Sequence, residues 1–311
     1  MNIIETILDE FPLSLQEVDR LIRTAPSRYK VHEIEKRNGR GKRTIAQPTA
    51  EIKLLQRYLL ERYISDLPVS DAAKAYRLNH SILDHAYPHA KNQFLLKLDF
   101  KDFFPSIRAV DFIKHLRKHS KLSREDAKTL SRVFFWRPKG QRDLMLSIGA
   151  PSSPAISNTV LFDFDSALIE YCTKNGITYS RYADDLALST NQPNILSDAL
   201  KYVVTLCHSL KSPRLTLNDD KTVFTSKKHH RQLTGLVLSS TGTASIGRGK
   251  KRTIRAMAHH YKQGILPPED RAKLRGWLSF MMSIDREFVR TIEIMVGQIA
   301  FQKLMQGLTA D

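Results

Sequence analysis

The chain has 311 residues, 41% hydrophobic and 26% charged, which is enough for a full core and two or three subdomains and excludes a disordered polymer. Lys and Arg number 49 against 32 acidic residues, giving a net charge of +17 and a pI of about 9.8, so a polyanionic partner is expected. No apolar run approaches the roughly 18 residues of a membrane span, the N-terminal residues are acidic where a signal peptide is basic, and Cys172 and Cys207 sit in apolar stretches; no membrane partner, a cytoplasmic location and reduced core thiols are expected.

In chain order, Ser14 and Glu17 form a capping box that opens a helix through Arg23, with Leu15, Val18 and Ile22 on one face. Residues 31–37 and 42–47 read as a hairpin with a basic tip at Asn38–Gly41. Ile52, Leu55, Leu59 and Ile64 suit a helix over 51–64. Residues 94–100 form a buried strand, followed by a turn at Pro105 and Ser106 and a helix near 110–119. Ser153 as N-cap and Pro154 as first helical residue open a helix that runs to Lys174 and ends at Asn175 and Gly176. Residues 177–189 alternate as two short strands, with Ala183, Asp184 and Asp185 at or near the turn. A helix over 194–210 precedes a strand at 214–217. Segments 232–238 and 243–247 read as another hairpin, and the chain is helical from Lys250 with a break at 264–268. This order suits an α+β catalytic centre with mostly helical flanks.

The adjacent carboxylates of Asp184 and Asp185 raise each other's pKa, and a bound dication removes that cost. Asp99 ends an apolar strand where a core wants Leu or Val. One carboxylate from that strand and two from a neighbouring turn could hold two Mg²⁺ ions about 3.5–4 Å apart, one activating an attacking hydroxyl and the other neutralising a triphosphate. That chemistry is phosphoryl transfer on nucleic acid.

In motif order, the chain resembles the reverse transcriptases, and within them the bacterial retron enzymes. Lys42 to Pro48 with Leu55 and Gln56 resembles the first fingers motif. Leu98 to Ser106 resembles motif A, and Gly149 to Pro154 with Ser157 and Asn158 motif B. Tyr182 to Asp185 resembles motif C, and Asn218 to Thr222 motif D. The resemblance implies an α+β right-hand polymerase fold with fingers, palm and a helical thumb. Its divisions fall at 1–92 for N-terminal helices and fingers, 93–230 for the palm with a fingers segment at about 120–150, and 231–311 for a primer-grip hairpin and thumb. It makes Asp99, Asp184 and Asp185 the ligands of two Mg²⁺ ions, helped by the Phe100 carbonyl, with Lys221 as general acid for pyrophosphate. Phe104 matches the steric gate that prefers dNTPs over rNTPs. Lys42, Arg43, Asp102, Phe103, Gly149, Ala150 and Pro151 match nucleotide-binding positions. Ile148 departs from the Gln common in relatives, which bears on fidelity and not on the metal.

The retron markers are His85, Ala86 and His89, where His85 replaces Asn, and Leu233, Thr234 and Gly235, where Leu233 replaces Val. The resemblance places these markers and Tyr182 against RNA or DNA. It also aligns a basic thumb segment carrying Arg248, Lys250, Lys251, Arg252 and Arg255, whose charges present a broad surface for phosphates, while Trp277 packs the thumb core. The implied partners are a cognate structured non-coding RNA, its branched multicopy DNA product, dNTPs and a separate effector protein in anti-phage defence. A reverse transcriptase of the intron, diversity-generating or CRISPR-linked kind, and a non-catalytic RNA-binding scaffold, are the alternatives.

Overall fold

The computed structural model describes residues 2–35, 39 and 41–307. Helices α1 (Ile3–Glu10) and α2 (Leu15–Thr24) each start on a reciprocal capping box, Asn2 with Glu5 and Ser14 with Glu17. The sequence reading misses α1, whose eight residues are too few to display a helical period. Strands β1 (Tyr29–Glu35) and β2 (Lys42–Pro48) pair antiparallel from Tyr29↔Pro48 to Glu35↔Lys42. Asn38 and Arg40 of the expected tip lie outside the described residues. Then come α3 (Ala50–Tyr63), α4 (Ile82–Ala90) and β3 (Phe94–Asp99). The turn expected at Pro105 is a single helical turn, α5 (Phe103–Ser106), before α6 (Ala109–His119) and α7 (Arg124–Phe134).

The long helix expected over 153–174 is two helices, α8 (Ser153–Val160) and α9 (Phe162–Lys174), broken at Leu161, where ψ is 4°. One off-helix residue leaves the apolar spacing readable as continuous. Ser153 is the first helical residue and not the cap; Ser152 precedes it in helical geometry with no side-chain cap bond. Strands β4 (Thr178–Tyr182) and β5 (Asp185–Thr190), helix α10 (Ile195–Ser209) and β6 (Val223–Ser226) complete the central region.

The central sheet has the order β4-β5-β3-β6 and is antiparallel throughout. Its edge strand β6 escapes the sequence reading because it is four residues long, with Val223 and Phe224 exposed. The strand expected at 214–217 shrinks to one bridge, Phe100↔Leu217. Its backbone instead laces the end of β3: Thr216 accepts from Lys101 N–H at 2.8 Å, and Asn218 N–H donates to the Asp99 carbonyl at 2.8 Å.

The strand expected over 232–238 folds back on itself as β7 (Arg231–Leu233) and β8 (Leu236–Leu238), with β9 (Ala244–Ser245) beside β8. Thr234 and Gly235 form the two-residue turn, with φ of 44° and 86°, the positive pair a type I′ hairpin requires. Helices α11 (Arg248–Lys262), α12 (Pro268–Met282), α13 (Arg286–Val296) and α14 (Gln298–Gln306) close the chain.

One core joins α1, α2, α3, the central sheet and α6 to α10. A second lies within α11 to α14. A third, small cluster joins Ala86 and Ala90 of α4 to Leu95, Ala187, Leu233, Leu236, Leu238 and Ile284. Cys172 and Cys207 are buried and free, and burial pushes their thiols up to about 12 and about 11.

Candidate active site

Antiparallel pairing of β3 with β5 sets Asp99 directly across from Asp185, and β4 sets Tyr182 across from the same Asp185. The β4–β5 turn is tight: Ala183 takes φ 58°, and the Asp184 carbonyl accepts from Phe100 N–H at 3.1 Å. A buried ion pair holds this turn. Arg181 is fully buried and meets Asp165 of α9 through Nη2 at 2.6 Å and Nε at 2.9 Å, while its Nη1 donates to the Ala183 carbonyl at 3.0 Å. Tyr179 adds a 2.7 Å hydrogen bond from its hydroxyl to the Asp165 carboxylate.

The three aspartates bear on one another. Burial, then the charge of Asp99, raises Asp184; burial, then Asp184 and Asp99, pushes Asp185 up to about 6. Lys221 donates from Nζ to both oxygens of Asp99 at 2.8 Å. Among the described residues no three His, Cys, Asp or Glu side chains already stand together as an ion would hold them. In its chemistry the donor set fits a hard divalent cation: it is all oxygen, and its like charges are short of countercharge.

That shortage gives a pH dependence. Asp185 titrates above its ordinary value when folded, so the folded state holds more protons than the unfolded one, and stability falls as pH rises toward about 6. A cation that displaces the proton stabilises most above that point. The rise in melting temperature on adding Mg²⁺ is expected to grow between about pH 5 and about pH 7. A Mg²⁺ effect independent of pH would dissociate these carboxylates from the ion.

Beside the aspartates, Asp102 sits exposed in left-handed geometry (φ 46°, ψ 47°) at the start of α5. Phe103 is buried and stacks on Phe100, while Phe104 is half-buried, with its ring centre 6.4 Å from that of Tyr76. Gly149 takes φ 124°, and a Cβ there would meet the Ala46 carbonyl at 3.1 Å, so only glycine lets this loop seat against β2. Ala46 N–H also donates to the Ile148 carbonyl at 2.9 Å. Ala150 and Pro151 line a cavity of about 400 Å³ with Phe104 and Tyr76. Of the two fingers cations, Arg43 acts on Asp184, whereas Lys42 pairs with Glu33 across the hairpin at 3.1 Å.

Several residues expected to meet nucleic acid are placed otherwise. His85 and His89 are fully buried. His89 hydrogen-bonds Ser189 through Nδ1 and Ser180 through Nε2, both at 2.7 Å, and His85 Nδ1 meets Ser180 at 2.8 Å. Burial pushes His85 down to about 3 and His89 well below its ordinary value, so both imidazoles are neutral. These histidines clamp α4 onto the hairpin that carries Asp184 and Asp185; they offer no atom to an RNA.

Leu233 is likewise core, 2% exposed, which leaves the turn at Thr234 and Gly235 as the accessible part of that marker. Lys250 lies over the Trp277 ring at 3.8 Å, and Lys251 pairs with Asp285, so both turn inward. Arg248, Arg252 and Arg255 remain exposed on α11, and Trp277 packs against the α11–α14 core.

Two buried groups escape the sequence reading. Arg181 and Asp165 are charges on otherwise apolar faces, a signal visible in the pattern but without a partner until the fold supplies one. Arg231 is 1% exposed and donates to three main-chain carbonyls, those of Asn92 at 2.6 Å, Ala90 at 3.0 Å and Ser239 at 2.9 Å.

Comparison with known proteins accords with this arrangement. The family described as reverse transcriptase (RNA-dependent DNA polymerase) matches residues 34–238. The chain is 36% identical over 305 residues to the retron Ec83 reverse transcriptase of Escherichia coli, covering 97% of this chain and 96% of that protein. It is 31% identical over 302 residues to the retron Ec86 reverse transcriptase of Escherichia coli, covering 96% and 90%. An apo telomerase structure from Candida tropicalis aligns with a TM-score of 0.50 at 11% identity, over 91% of this chain and 58% of that one, a likeness of fold alone. The chain therefore has the right-hand polymerase fold and belongs to the reverse transcriptases, RNA-directed DNA polymerases, and within them to the retron reverse transcriptases.

Proposed function

We propose that this enzyme binds a cognate structured non-coding RNA and reverse-transcribes part of it from an RNA 2′-OH, leaving branched multicopy single-stranded DNA. The observation that carries the reading is the pairing of Asp99 with Asp185, beside Asp184 and next to Phe104. Asp99, Asp184 and Asp185, with the Phe100 carbonyl, would hold two Mg²⁺ ions. When bound, these supply a lowered pKa for the attacking hydroxyl and countercharge for the triphosphate.

The protein's own residues do the rest. Arg43 meets the triphosphate, the loop of Gly149, Ala150 and Pro151 backs the incoming dNTP, and Asp102 and Phe103 present backbone amides to it. Lys221, released from Asp99, delivers a proton to the leaving pyrophosphate. The exposed arginines of α11 and the Thr234–Gly235 turn track the RNA by its phosphates and shape. Fingers over 1–92, palm over 93–230 and primer grip with thumb over 231–311 divide this work. By the same family reading the enzyme acts in the cytoplasm with a separate effector protein in anti-phage defence. Among the described residues no helix is long and apolar enough to cross a membrane.

The cellular product tests the proposal. A short DNA joined to RNA through a 2′–5′ bond is expected, and a linear cDNA would overturn the retron reading. The gate has its own test. Phe104→Ala is expected to improve use of rNTPs relative to dNTPs by roughly 10²-fold, the scale at which a pocket accepts or rejects one hydroxyl. Single-nucleotide incorporation kinetics measure this, and unchanged selectivity would remove Phe104 from the role.

A further inference from the structure

Tyr76 lies in a turn between α3 and α4, yet its place is fixed from both sides. Residues 72–74 run parallel beside β4. Arg181 N–H donates to the Ala72 carbonyl and Lys74 N–H to the Arg181 carbonyl, both at 2.8 Å, with a bridge at Ala73↔Arg181. The Asn158 amide nitrogen then donates to the carbonyl of buried Ala75 at 2.8 Å, and its oxygen accepts from the Arg181 guanidinium at 3.3 Å. On the far side Arg77 folds back, and its Nη1 donates to the carbonyls of Ser70 at 3.1 Å and Ala73 at 3.2 Å.

Arg181 also grips the Ala183 carbonyl at 3.0 Å. One buried guanidinium therefore sets both the segment that leads into Tyr76 and the turn that carries Asp184.

Between these anchors Tyr76 takes φ 61°, a left-handed value that is strained for a bulky side chain. Glycine adopts such a value without strain, whereas here the backbone holds an aromatic ring in it. The ring is 50% exposed, and its centre stands 6.4 Å from that of Phe104. The other aromatic neighbour of Phe104 among the described residues is Phe103, at 5.3 Å. Phe103 is buried and stacks on Phe100 at 5.9 Å, so it belongs to the core, and Tyr76 is the neighbour at the surface. Burial, then the charge of Asp184, raises the pKa of the Tyr76 hydroxyl, and Arg43 acts the other way; the side chain thus borders the catalytic turn as well as the gate.

Phe104 is half-buried on a single helical turn, and the rotamer of such a ring is decided by what stands beside it. A ring excludes a hydroxyl only where it cannot yield. We infer that Tyr76 is a positioning residue for sugar selection, its anchored ring holding Phe104 across the place of a ribose 2′-OH so that the gate cannot swing aside. The inference rests on the reading of Phe104 as the gate, and adds the residue that makes that gate stiff.

Single-nucleotide incorporation by the full-length enzyme, with dNTPs and with rNTPs, tests this on Tyr76→Ala, Tyr76→Phe, Phe104→Ala and the double alanine variant. Tyr76→Ala is expected to narrow the preference for dNTPs by about tenfold, part of the roughly 10²-fold that a pocket commands over one hydroxyl, through a lower KM for rNTPs. Tyr76→Phe keeps the ring that meets Phe104 and should keep the preference. Because Tyr76 acts through Phe104, adding Tyr76→Ala to Phe104→Ala should change the preference no further. Should Tyr76→Ala fail to fold, Tyr76→Gly, which suits the left-handed backbone, carries the same expectation.

A loss of kcat shared equally by both substrates, with their ratio unchanged, would make Tyr76 merely structural and overturn the inference. So would a Tyr76→Ala effect that adds in full to that of Phe104→Ala, which would set Tyr76 against the sugar itself. If Phe104→Ala leaves the preference as in wild type, the gate reading falls and the inference with it. If Phe104→Ala relaxes the preference and Tyr76→Ala does not, the inference alone falls.

Discussion

Asp184→Asn is expected to abolish DNA synthesis, with kcat lower by on the order of 10³-fold or more, since a single preorganised charge-stabilising group already accounts for 10²–10³. The substitution keeps the shape of the turn. Asp184 is held through its main-chain carbonyl, which accepts from Phe100, and Ala183 is held through its carbonyl by Arg181, so neither contact involves the changed atoms. Removing one of three mutually repelling carboxylates relieves the charge that raises Asp185. The variant should therefore melt at the same temperature or higher, and lose much of its stabilisation by Mg²⁺. Primer extension and thermal melts, each with and without Mg²⁺, separate these effects. Synthesis at the wild-type rate would sink the metal mechanism.

Asp165→Ala is expected to be the most damaging substitution away from the reacting groups, costing about 3–5 kcal/mol of stability because it leaves a buried guanidinium without countercharge. The pair is 0% exposed on both sides. Arg181 also grips the Ala183 carbonyl, so the damage reaches the catalytic turn: residual folded enzyme should show reduced kcat as well as a lowered denaturation midpoint. Replacing both partners with apolar residues of similar volume should recover most of the stability but not the turn. Urea denaturation of the single and double variants measures this, and a loss below about 1 kcal/mol would mean that the pair is solvated in solution.

That Asp99, Asp184 and Asp185 come together was legible in the sequence because Asp99 breaks an apolar strand and Asp184 and Asp185 stand side by side, signals carried within a few residues. What lay further off was not. His85 and His89 look in sequence like accessible polar side chains, and only the packing of α4 on β4 and β5 shows that Ser180 and Ser189 take both ring nitrogens of His89 while Ser180 takes one of His85. Lys53 and Arg57 drew no reading from the sequence, since the loop at Gly149 that makes their helix face a cavity wall lies about a hundred residues away. Strand β6 is too short and too exposed to alternate, and the break at Leu161 leaves the apolar spacing of α8 and α9 in step. The family resemblance supplied the order of motifs, and it also placed His85, His89 and Leu233 at a surface they do not reach.

Arg231 fastens β7 to the end of α4 entirely through main-chain oxygens, and α4 in turn is fixed to the catalytic hairpin by His89. Such a joint is indifferent to which side chains its neighbours carry. Substitutions at Thr234 and Gly235 that keep the positive φ pair of the turn therefore leave the fastening behind it, and with it the register of the hairpin that carries the aspartates, as they are. The mount behind the aspartates is thus set by buried contacts to main-chain oxygens, in which the side chains of the turn take no part.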